Sequence, residues 1–323
     1  MYPTLTIAIP VFERFPGFEE ALASALAVED CVEILVVDDC SNHRQFEEAC
    51  SANSDTRIRY VRNEENLGLF GNWNECARLA VGDFVAILCS DDVVEPNIYA
   101  WFKQAITRCP ELDVFFGAFA VFSTTTSDAK VRKGYPTGPI SSMKLLEDAA
   151  IRGANFPVLS VIRKTKLLQY PFVAKPHSGN DWLWIYTNAT AFTLHAEARP
   201  LSFWRRHQNQ DSKTSQAITT DCWPLMYLEI AKQLRQGNNS DKARLANKRA
   251  IGVILSWLLN DKYGTGYHKR LLGPEAKENI FLLTALKIAD QNWLLSALLR
   301  QSKLTPVYQV VGRLYRKYNI YPL

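Results

Sequence analysis

The sequence of 323 residues lacks any apolar run near the length of about 20 residues that a membrane-spanning helix requires. Its first residues, MYPTLTIAIPVF, contain no basic segment and are typical of a strand, so we expect no signal peptide. The seven cysteines are odd in number and include no CxxC pair, which argues against a disulfide frame and a zinc site. Cysteines within apolar runs are typical of buried free thiols, so the sequence predicts a cytoplasmic protein in a reducing compartment.

Two sequence motifs are also missing. The first apolar run continues into PVFERFPG and not into the GxGxxG turn that seats a pyrophosphate in dinucleotide-binding oxidoreductases. An oxidoreductase of that type is therefore disfavoured. No motif for reading nucleic acid is present, so we expect no nucleic-acid partner, although the basic end of the chain keeps a nucleic-acid enzyme open as an alternative.

The composition is that of an ordinary globular protein, with 47% apolar and 22% charged residues. The charges are unevenly distributed along the chain. Residues 221–323 contain 16 Lys and Arg against 7 Asp and Glu, whereas the first 220 residues contain 21 against 26. A basic C-terminal third indicates an anionic partner, such as phosphate groups or a membrane surface, and a solvated helical face is the equally plain alternative.

Strand and helix patterns alternate strictly through the first 125 residues. Near-continuous apolar runs separated by segments with helical spacing are typical of a sheet covered by helices on both faces. The sequence therefore predicts an α/β fold with a mostly parallel central sheet. The predicted strands are 5–12, 32–39, 57–63, 83–90 and 113–123, and the predicted helices are 18–27, 44–52, 71–80 and 96–107.

The pattern weakens after residue 125 into a loop rich in Thr, Ser, Gly and Pro that extends to about residue 142. A helix, a strand at 156–163, a helix within 177–191 and a strand with a polar loop are predicted next. From residue 221 onward only helical patterns remain, so we predict a catalytic domain over 1–217 and a helical C-terminal region over 218–323. The predicted C-terminal helices are 221–235, 241–259, 275–289, 291–300 and 306–318.

Pairs of carboxylates follow two of the predicted strands. Asp38 and Asp39 end the second strand, and Asp91 and Asp92 end the fourth. The carboxyl ends of parallel strands share one edge of a sheet, where ligands of such folds bind. Adjacent carboxylates suit a hard divalent cation, which also binds water and substrate phosphates. The alternative is a turn in which the Asp side chains cap the following helix.

Five stretches occur in the order typical of one enzyme family, and together they cover about residues 4–215. They are TIAIPVFERF, EILVVDDCSN, NLGLFGNWNECARLAVGDFVAILCSDD, SGNDWLWIY and FWRRHQNQDS. In this order and spacing the sequence resembles the inverting family 2 glycosyltransferases of the GT-A fold, which depend on nucleoside diphosphate sugars. The resemblance implies a nucleotide-binding half over about 1–125 and an acceptor-binding half over about 126–217.

The resemblance also implies roles for particular residues on the nucleotide side. Pro10, Val11 and Glu13 would cradle the base, and Asp39 would accept a hydrogen bond from a ring N–H of that base. Asn66 would shape the neighbouring loop. In GNWNEC this chain departs from the Arg-Asn-Gly run of many members, which puts one basic donor contact in doubt, and we expect Trp73 to belong to the core.

The family's DxD-like element is present here as Ser90-Asp91-Asp92. The resemblance implies that Asp92 binds Mn²⁺ or Mg²⁺, and that Asp91 contacts the donor or orients a metal-bound water. Relatives carry a Tyr-Arg-x-His run in a mobile segment that closes over the donor. Arg205 and Arg206 would then contact the diphosphate, and His207 would bind a phosphate or assist the metal. A surface loop without a role is the alternative for this segment.

The family places an acidic residue at the start of a helix that faces the anomeric carbon, and Asp181 matches it. Its implied role is that of general base for the acceptor hydroxyl, and a simple helix cap is the alternative. Many relatives have Glu-Asp here, whereas this chain has Asn180-Asp181. Asn180 and Trp182 are predicted to lie near the sugar or the acceptor, with Trp182 nearer than Trp184.

The resemblance as a whole implies an enzyme that moves a sugar from a nucleoside diphosphate sugar to a hydroxyl of a glycan or lipid-linked glycan. UDP is the first choice of nucleotide and dTDP the second. A nucleotide-sugar-binding protein without turnover is the alternative. The basic, amphipathic C-terminal helices predict either docking onto the catalytic domain or a second subunit, or peripheral contact with the inner face of the membrane.

Overall fold

The structure, a computed structural model, describes residues 2–132, 134–157, 159–173, 179–207 and 222–259. The strands are β1 (Leu5–Val11), β2 (Glu33–Asp38), β3 (Ile58–Arg62), β4 (Phe84–Ile87), β5 (Val93–Val94), β6 (Val114–Phe116), β7 (Ala120–Phe122), β8 (Lys130–Val131), β9 (Gly138–Ile140), β10 (Ser160–Arg163), β11 (Leu194–Ala196) and β12 (Ser202–Arg205). The helices are α1 (Phe18–Leu26), α2 (Gln45–Ser51), α3 (Leu69–Leu79), α4 (Ile98–Arg108), α5 (Ser142–Arg152), α6 (Lys164–Gln169), α7 (Asn180–Asn188), α8 (Cys222–Gln236) and α9 (Ser240–Leu259).

Eight strands form the central sheet, in the order β3-β2-β1-β4-β10-β6-β11-β9. The pairs β1–β2, β1–β4, β2–β3 and β6–β11 are parallel, whereas β10 runs antiparallel to both β4 and β6, and β9 runs antiparallel to β11. The predicted α/β fold with helices around a central sheet is confirmed. The reversed strand β10 makes the sheet mixed.

Each face of the sheet carries its own apolar core because side chains alternate along a strand. In β1, Ile7 and Ile9 pack on one face with residues of α1 and α4, and Ala8 packs on the other face with residues of α3, α5 and α7. All seven residues of β1 are buried. Burial on both faces explains why the sequence of this strand shows a continuous apolar run instead of an alternation.

The predicted strand 113–123 is two strands in two different sheets. β6 belongs to the central sheet, and β7 belongs to a second sheet of four short strands in the order β5-β12-β7-β8. Between them, a side chain at Gly117 would lie 2.6 Å from the carbonyl oxygen of Arg199, so only glycine permits this close backbone approach. A continuous apolar run does not reveal such a change of sheet, which is why the prediction was wrong here.

The first two C-terminal helices, α8 and α9, pack on α5 and α7. Their apolar residues, among them Met226, Ile230 and Ala246, join the same buried cluster as α5 and α7. The Gln233 side-chain amide donates to the Tyr186 carbonyl oxygen over 2.6 Å. The predicted helices beyond residue 259 lie outside the described residues, and the boundary near 217 stays a prediction. Within the described ranges, no helix is both long and apolar enough to cross a bilayer.

Candidate active site

The two carboxylates that follow β2 have different partners. Asp38 is fully buried and accepts hydrogen bonds from the Ser41 backbone N–H (3.0 Å), the Ser41 hydroxyl (2.6 Å) and the Tyr60 hydroxyl (2.7 Å). These bonds close the turn after β2, which is one part of the alternative that the sequence left open. The other part is wrong, because Arg44 precedes α2 and no side chain caps that helix. Asp38 is therefore a structural residue.

Asp39 instead organises the loop before α3. Its carboxylate accepts hydrogen bonds from the backbone N–H groups of Leu67 (2.8 Å) and Gly68 (2.9 Å) and from the Asn63 side chain (3.0 Å). Asn66 is exposed, and its side-chain oxygen shares the Gly68 N–H at 2.9 Å. The predicted residues Asp39 and Asn66 thus lie together at the carboxyl end of β2, where both accept a hydrogen bond from the Gly68 backbone N–H.

The predicted base-cradling residues lie beside this loop. Pro10 and Val11 are buried at the end of β1, and the Val11 carbonyl oxygen accepts a hydrogen bond of 2.9 Å from the Asp39 N–H. Glu13 has a positive φ of 53°, and its carboxylate accepts hydrogen bonds from the Asn42 backbone (3.0 Å) and side chain (2.5 Å). Glu13 therefore ties the end of β1 to the turn that follows β2.

Asp91 and Asp92, after β4, lie in contrasting surroundings. Asp92 is 3% exposed and accepts a hydrogen bond of 2.9 Å from the Arg205 backbone N–H. Burial, and then the negative charge of Asp91, raise the pKa of Asp92 well above its usual range. Asp91 is more accessible and receives Arg14 at 3.1 Å and His207 at 2.7 Å on the same carboxylate oxygen, Oδ2.

The segment Arg205–His207 reaches this acidic pair through β12. That strand pairs antiparallel with β5, directly after Asp92, so it returns the chain to the end of β4. The Arg205 guanidinium donates to the Asp91 carbonyl oxygen over 2.8 Å and forms an ion pair with Glu20. Arg206 is exposed on the neighbouring surface. The structure therefore brings the sequence-predicted residues Asp91, Asp92, Arg205 and His207 together.

Sequence reasoning missed two residues of this group, Arg14 and Gly17. The Arg14 guanidinium lies 2.8 Å from Nε2 of His207 as well as beside Asp91. Gly17, with φ +99°, precedes α1, and a side chain there would lie 3.0 Å from Cα of Asp91. Both residues belong to the ERFPG segment, whose position directly after β1 could have placed them at this edge of the sheet. The N-terminal end of α1, where the helix dipole favours anions, therefore lies against the acidic pair.

Asp91 and Asp92 are the residues at this edge that could hold a hard divalent cation. Asp92 is a buried carboxylate beside a second carboxylate, and a nearby cation would favour its ionised form. No group of three or more His, Cys, Asp or Glu side chains suited to hold a metal occurs within the described ranges. Mn²⁺ or Mg²⁺ bound here would therefore take one or two carboxylates and complete its shell with water and substrate oxygens.

Asp181 is the second residue of α7, which begins after Gly179 in a left-handed conformation. Asp181 lines a small cavity together with Ile87, the last residue of β4, so it lies at the same end of the sheet as Asp91 and Asp92. The residue is partly exposed, but its mostly apolar surroundings raise the pKa of its carboxyl to about 6, against the effect of the helix N-terminal N–H groups. A carboxylate with such a pKa can act as a base near neutral pH.

The neighbours of Asp181 differ from the prediction. Asn180 is 1% exposed, and its side-chain amide donates to the Val173 carbonyl oxygen, so it anchors the preceding segment instead of facing an acceptor. Trp182 packs edge-to-face on Trp223 of α8 at 5.2 Å. Trp184, not Trp182, lines the cavity of Asp181. Helical spacing placed the two tryptophans on different sides but gave no means to choose between those sides.

Comparison with known proteins fits this geometry. Residues 6–165, which span β1 to α6 and include both acidic pairs, match the family described as glycosyl transferase family 2. The match covers 160 of the 323 residues, just under half of the chain. The matched segment therefore contains the acidic edge of the sheet, whereas Asp181 and the segment Arg205–His207 follow it in the chain.

Two curated relatives are similar to this chain over short segments. The putative colanic acid biosynthesis glycosyl transferase WcaA of Escherichia coli is 31% identical over 97 residues, 29% of this chain and 35% of the relative. The succinoglycan biosynthesis protein ExoO of Rhizobium meliloti is 34% identical over 96 residues, 29% of this chain and 27% of the relative. The matches thus cover about a third of the length of these relatives.

Solved structures extend the likeness of the fold beyond residues 6–165. The crystal structure of S. aureus TarS 1-349 in complex with UDP-GlcNAc superimposes with a TM-score of 0.59, covering 97% of this chain and 92% of TarS. The sequence identity is 15%, so this likeness concerns the fold. The same TarS fragment has also been crystallised with UDP, with a TM-score of 0.58.

Proposed function

We propose that this protein is an inverting, metal-dependent glycosyltransferase. It moves a sugar from a nucleoside diphosphate sugar, with UDP first and dTDP second as the nucleotide, to a hydroxyl of a glycan or lipid-linked glycan. The observation that carries the proposal is the juxtaposition of Asp91, Asp92 and the segment Arg205–His207 at the sheet edge where Asp181 also lies. The names of WcaA and ExoO, and the UDP-GlcNAc bound to TarS, support the choice of donor and acceptor class.

The acidic edge serves the donor in this proposal. Asp92, with Asp91 and His207 beside it, would hold Mn²⁺ or Mg²⁺, whose positive charge stabilises the departing diphosphate. The Arg14 guanidinium, which pairs with Asp91, lies within reach of the diphosphate and adds a second positive charge there. Arg205 positions the pair through its backbone and side chain, and Arg206 contacts the diphosphate from the surface. Pro10, Val11, Glu13, Asp39 and Asn66 shape the nucleotide side.

Asp181 serves the acceptor. Above about pH 6 its carboxyl is ionised and can take the proton of the acceptor hydroxyl. As that proton leaves, the acceptor oxygen bonds to C1 of the sugar, and the bond between C1 and the diphosphate oxygen breaks on the opposite face. A single displacement of this kind inverts the anomeric centre. A positioned base typically contributes about 10²–10⁴-fold to the rate.

Two variants separate these roles. Asp181→Asn is expected to lower transfer by about 10²–10⁴-fold and to leave UDP affinity near that of the wild type. Asp92→Ala is expected to lose the part of the UDP affinity that depends on Mn²⁺. Isothermal titration of UDP with and without Mn²⁺, run on both variants beside a transfer assay, checks this. Equal metal-dependent affinity in the two variants would contradict the assignment.

A nucleotide-sugar-binding protein of the same fold without turnover is the second candidate. Asn180 favours it, since many relatives have an acidic residue there and the Asn180 amide is committed to Val173. Slow hydrolysis of the donor distinguishes the two candidates. An enzyme hydrolyses UDP-sugar over hours in the absence of acceptor, whereas a binding protein leaves it intact. Peripheral membrane contact through the C-terminal helices remains a separate prediction.

A further inference from the structure

Three polar side-chain atoms from distant parts of the chain converge at the end of β4. Oδ2 of Asp91 lies 2.7 Å from Nε2 of His207 and 3.1 Å from Nη1 of Arg14, and this Nη1 lies 2.8 Å from Nε2. The side chains of Arg14, Asp91 and His207 are 38%, 21% and 19% exposed. The Arg14 guanidinium is therefore in contact with both a carboxylate oxygen and a ring nitrogen.

The His207 nitrogen cannot form a hydrogen bond with both of these neighbours. Nε2 carries either a hydrogen, which it can donate to Asp91, or a lone pair, which can accept from Arg14. With the lone pair, Nε2 and the Asp91 oxygen are two acceptors only 2.7 Å apart, and they repel each other unless a cation lies beside them. Arg14 supplies that cation. A divalent metal ion bound to the same two atoms would compete with Arg14.

The backbone that carries Arg14 is fixed, whereas its side chain can turn. Phe15 packs on Phe46 with ring centroids 5.5 Å apart, and Gly17 lies against Asp91. Within the part of the chain that the structure describes, the Arg14 guanidinium bonds only to the two side chains of this cluster. A long side chain with this exposure can move from Asp91 to a second anion by a change of rotamer alone.

We propose that Arg14 makes metal binding at this edge of the sheet conditional on the nucleoside diphosphate. Before a diphosphate is bound, the guanidinium pairs with Asp91 and opposes a divalent cation there. The diphosphate is a stronger partner for Arg14, because a guanidinium binds phosphate oxygens through two parallel hydrogen bonds. Arg14 then leaves Asp91 and His207 to the metal ion. This inference rests on the proposed metal-dependent transfer and adds to it a residue that couples the metal to the donor.

A coupling of this kind is reciprocal. If the diphosphate removes Arg14 from Asp91, UDP strengthens the binding of Mn²⁺, and Mn²⁺ strengthens the binding of UDP by the same factor. A neutral side chain at position 14 ends the competition for Asp91. The metal then binds more tightly by itself, and the diphosphate adds less to its affinity.

The test compares the wild type with Arg14→Gln in the full chain. Mn²⁺ affinity is measured from the electron paramagnetic resonance signal of the free ion, once without nucleotide and once with saturating UDP. Without nucleotide, the variant is expected to bind Mn²⁺ about tenfold more tightly. With UDP it is expected to bind Mn²⁺ no more tightly than the wild type, so the gain from UDP falls about tenfold. Arg14→Lys, which keeps a positive charge, is expected to retain part of the coupling.

Arg78→Gln is the matched control, because it also removes one positive charge from an ion pair, here with Glu75. Arg78 lies in the last turn of α3, whereas the first turn of that helix follows Gly68 at the edge that holds Asp39. This control is expected to leave both Mn²⁺ affinities unchanged.

Two results for Arg14→Gln would overturn the inference. An affinity for Mn²⁺ without nucleotide that equals or falls below that of the wild type would show that Arg14 does not compete with the metal. An equal rise with and without UDP would show that Arg14 does not move to the diphosphate. If Asp92→Ala still loses the part of the UDP affinity that depends on Mn²⁺, the proposed metal site stands while the coupling role of Arg14 fails.

Discussion

Asp91 lies between Arg14 and His207 at the end of β4, whereas Asp181 faces a cavity lined mostly by apolar side chains at the start of α7. The first carboxylate has its charge compensated within the protein. The second has no cationic partner among the causes of its pKa shift, and burial alone raises that pKa to about 6. The difference shows how one sheet edge can hold carboxylates for two tasks, charge binding and proton transfer.

The largest expected effect concerns the pH dependence of turnover. With Asp181 as the base, kcat/KM falls about tenfold for each pH unit below about 6, because only the ionised carboxylate takes a proton. Measurement of kcat/KM over a pH series, at saturating Mn²⁺ and in buffers of constant ionic strength, tests this fall in activity. A flat profile from pH 5 to 7 would remove Asp181 from the role of base and erase the contrast with Asp91.

The next effect concerns Arg205, the residue that holds Asp91 and Asp92 in place. Arg205→Ala removes the bond to the Asp91 carbonyl oxygen and the ion pair with Glu20, and is expected to lower the free energy of unfolding by ~1–3 kcal/mol. Arg206→Ala is the control, since this neighbour is exposed and is expected to cost less than ~0.5 kcal/mol. Urea titrations of both variants give the two values, and equal values would show that Arg205 does not anchor the pair.

The smallest effect is the change in stability of the folded protein that accompanies the ionisation of Asp181. The pKa of Asp181 is about 6 in the folded protein and about 3.9 in an unfolded chain, so the folded state binds more protons between those values. The stability contributed by the protonated carboxyl is present below about pH 4 and lost as the pH rises through about 6.

Asp181→Asn cannot titrate and is therefore expected to be more stable than the wild type at pH 7.5. With allowance for the partial exposure of the residue, the difference is about 1 kcal/mol, or ~2–4 °C in melting temperature. Thermal melts at pH 4 and pH 7.5 provide the measurement, and the two proteins should converge at pH 4. A variant that is less stable than the wild type at pH 7.5 would show that the ionised carboxylate is well compensated after all.

Much of the architecture around the site was accessible from the sequence because it depends on local patterns. The apolar runs of β1, β2 and β4 and the acidic residues that follow them place Asp39, Asp91 and Asp92 at one edge. The return of Arg205 and His207 to that edge followed from the resemblance and is matched by the structure.

Other features depend on contacts between distant segments, which no local pattern encodes. The change of sheet at Gly117 follows from the approach of residue 199. The orientation of α7 relative to β10 and α8 decides two such contacts. It places the Asn180 amide against the Val173 carbonyl oxygen, and it places Trp184 instead of Trp182 at the cavity. The approach of Arg14 to His207 joins residues 193 positions apart.

The docking of α8 and α9 bears on how the molecule can be divided. Asn239 donates to Glu147 of α5 over 2.6 Å, and the Tyr227 hydroxyl accepts the Ala154 backbone N–H at 3.0 Å. A chain shortened after residue 217 would expose the surfaces of α5 and α7 that α8 and α9 now cover, with Met143 and Trp182 among the newly exposed side chains. We expect such a fragment to self-associate, so the residues before 217 and the helices α8 and α9 should be expressed and studied together.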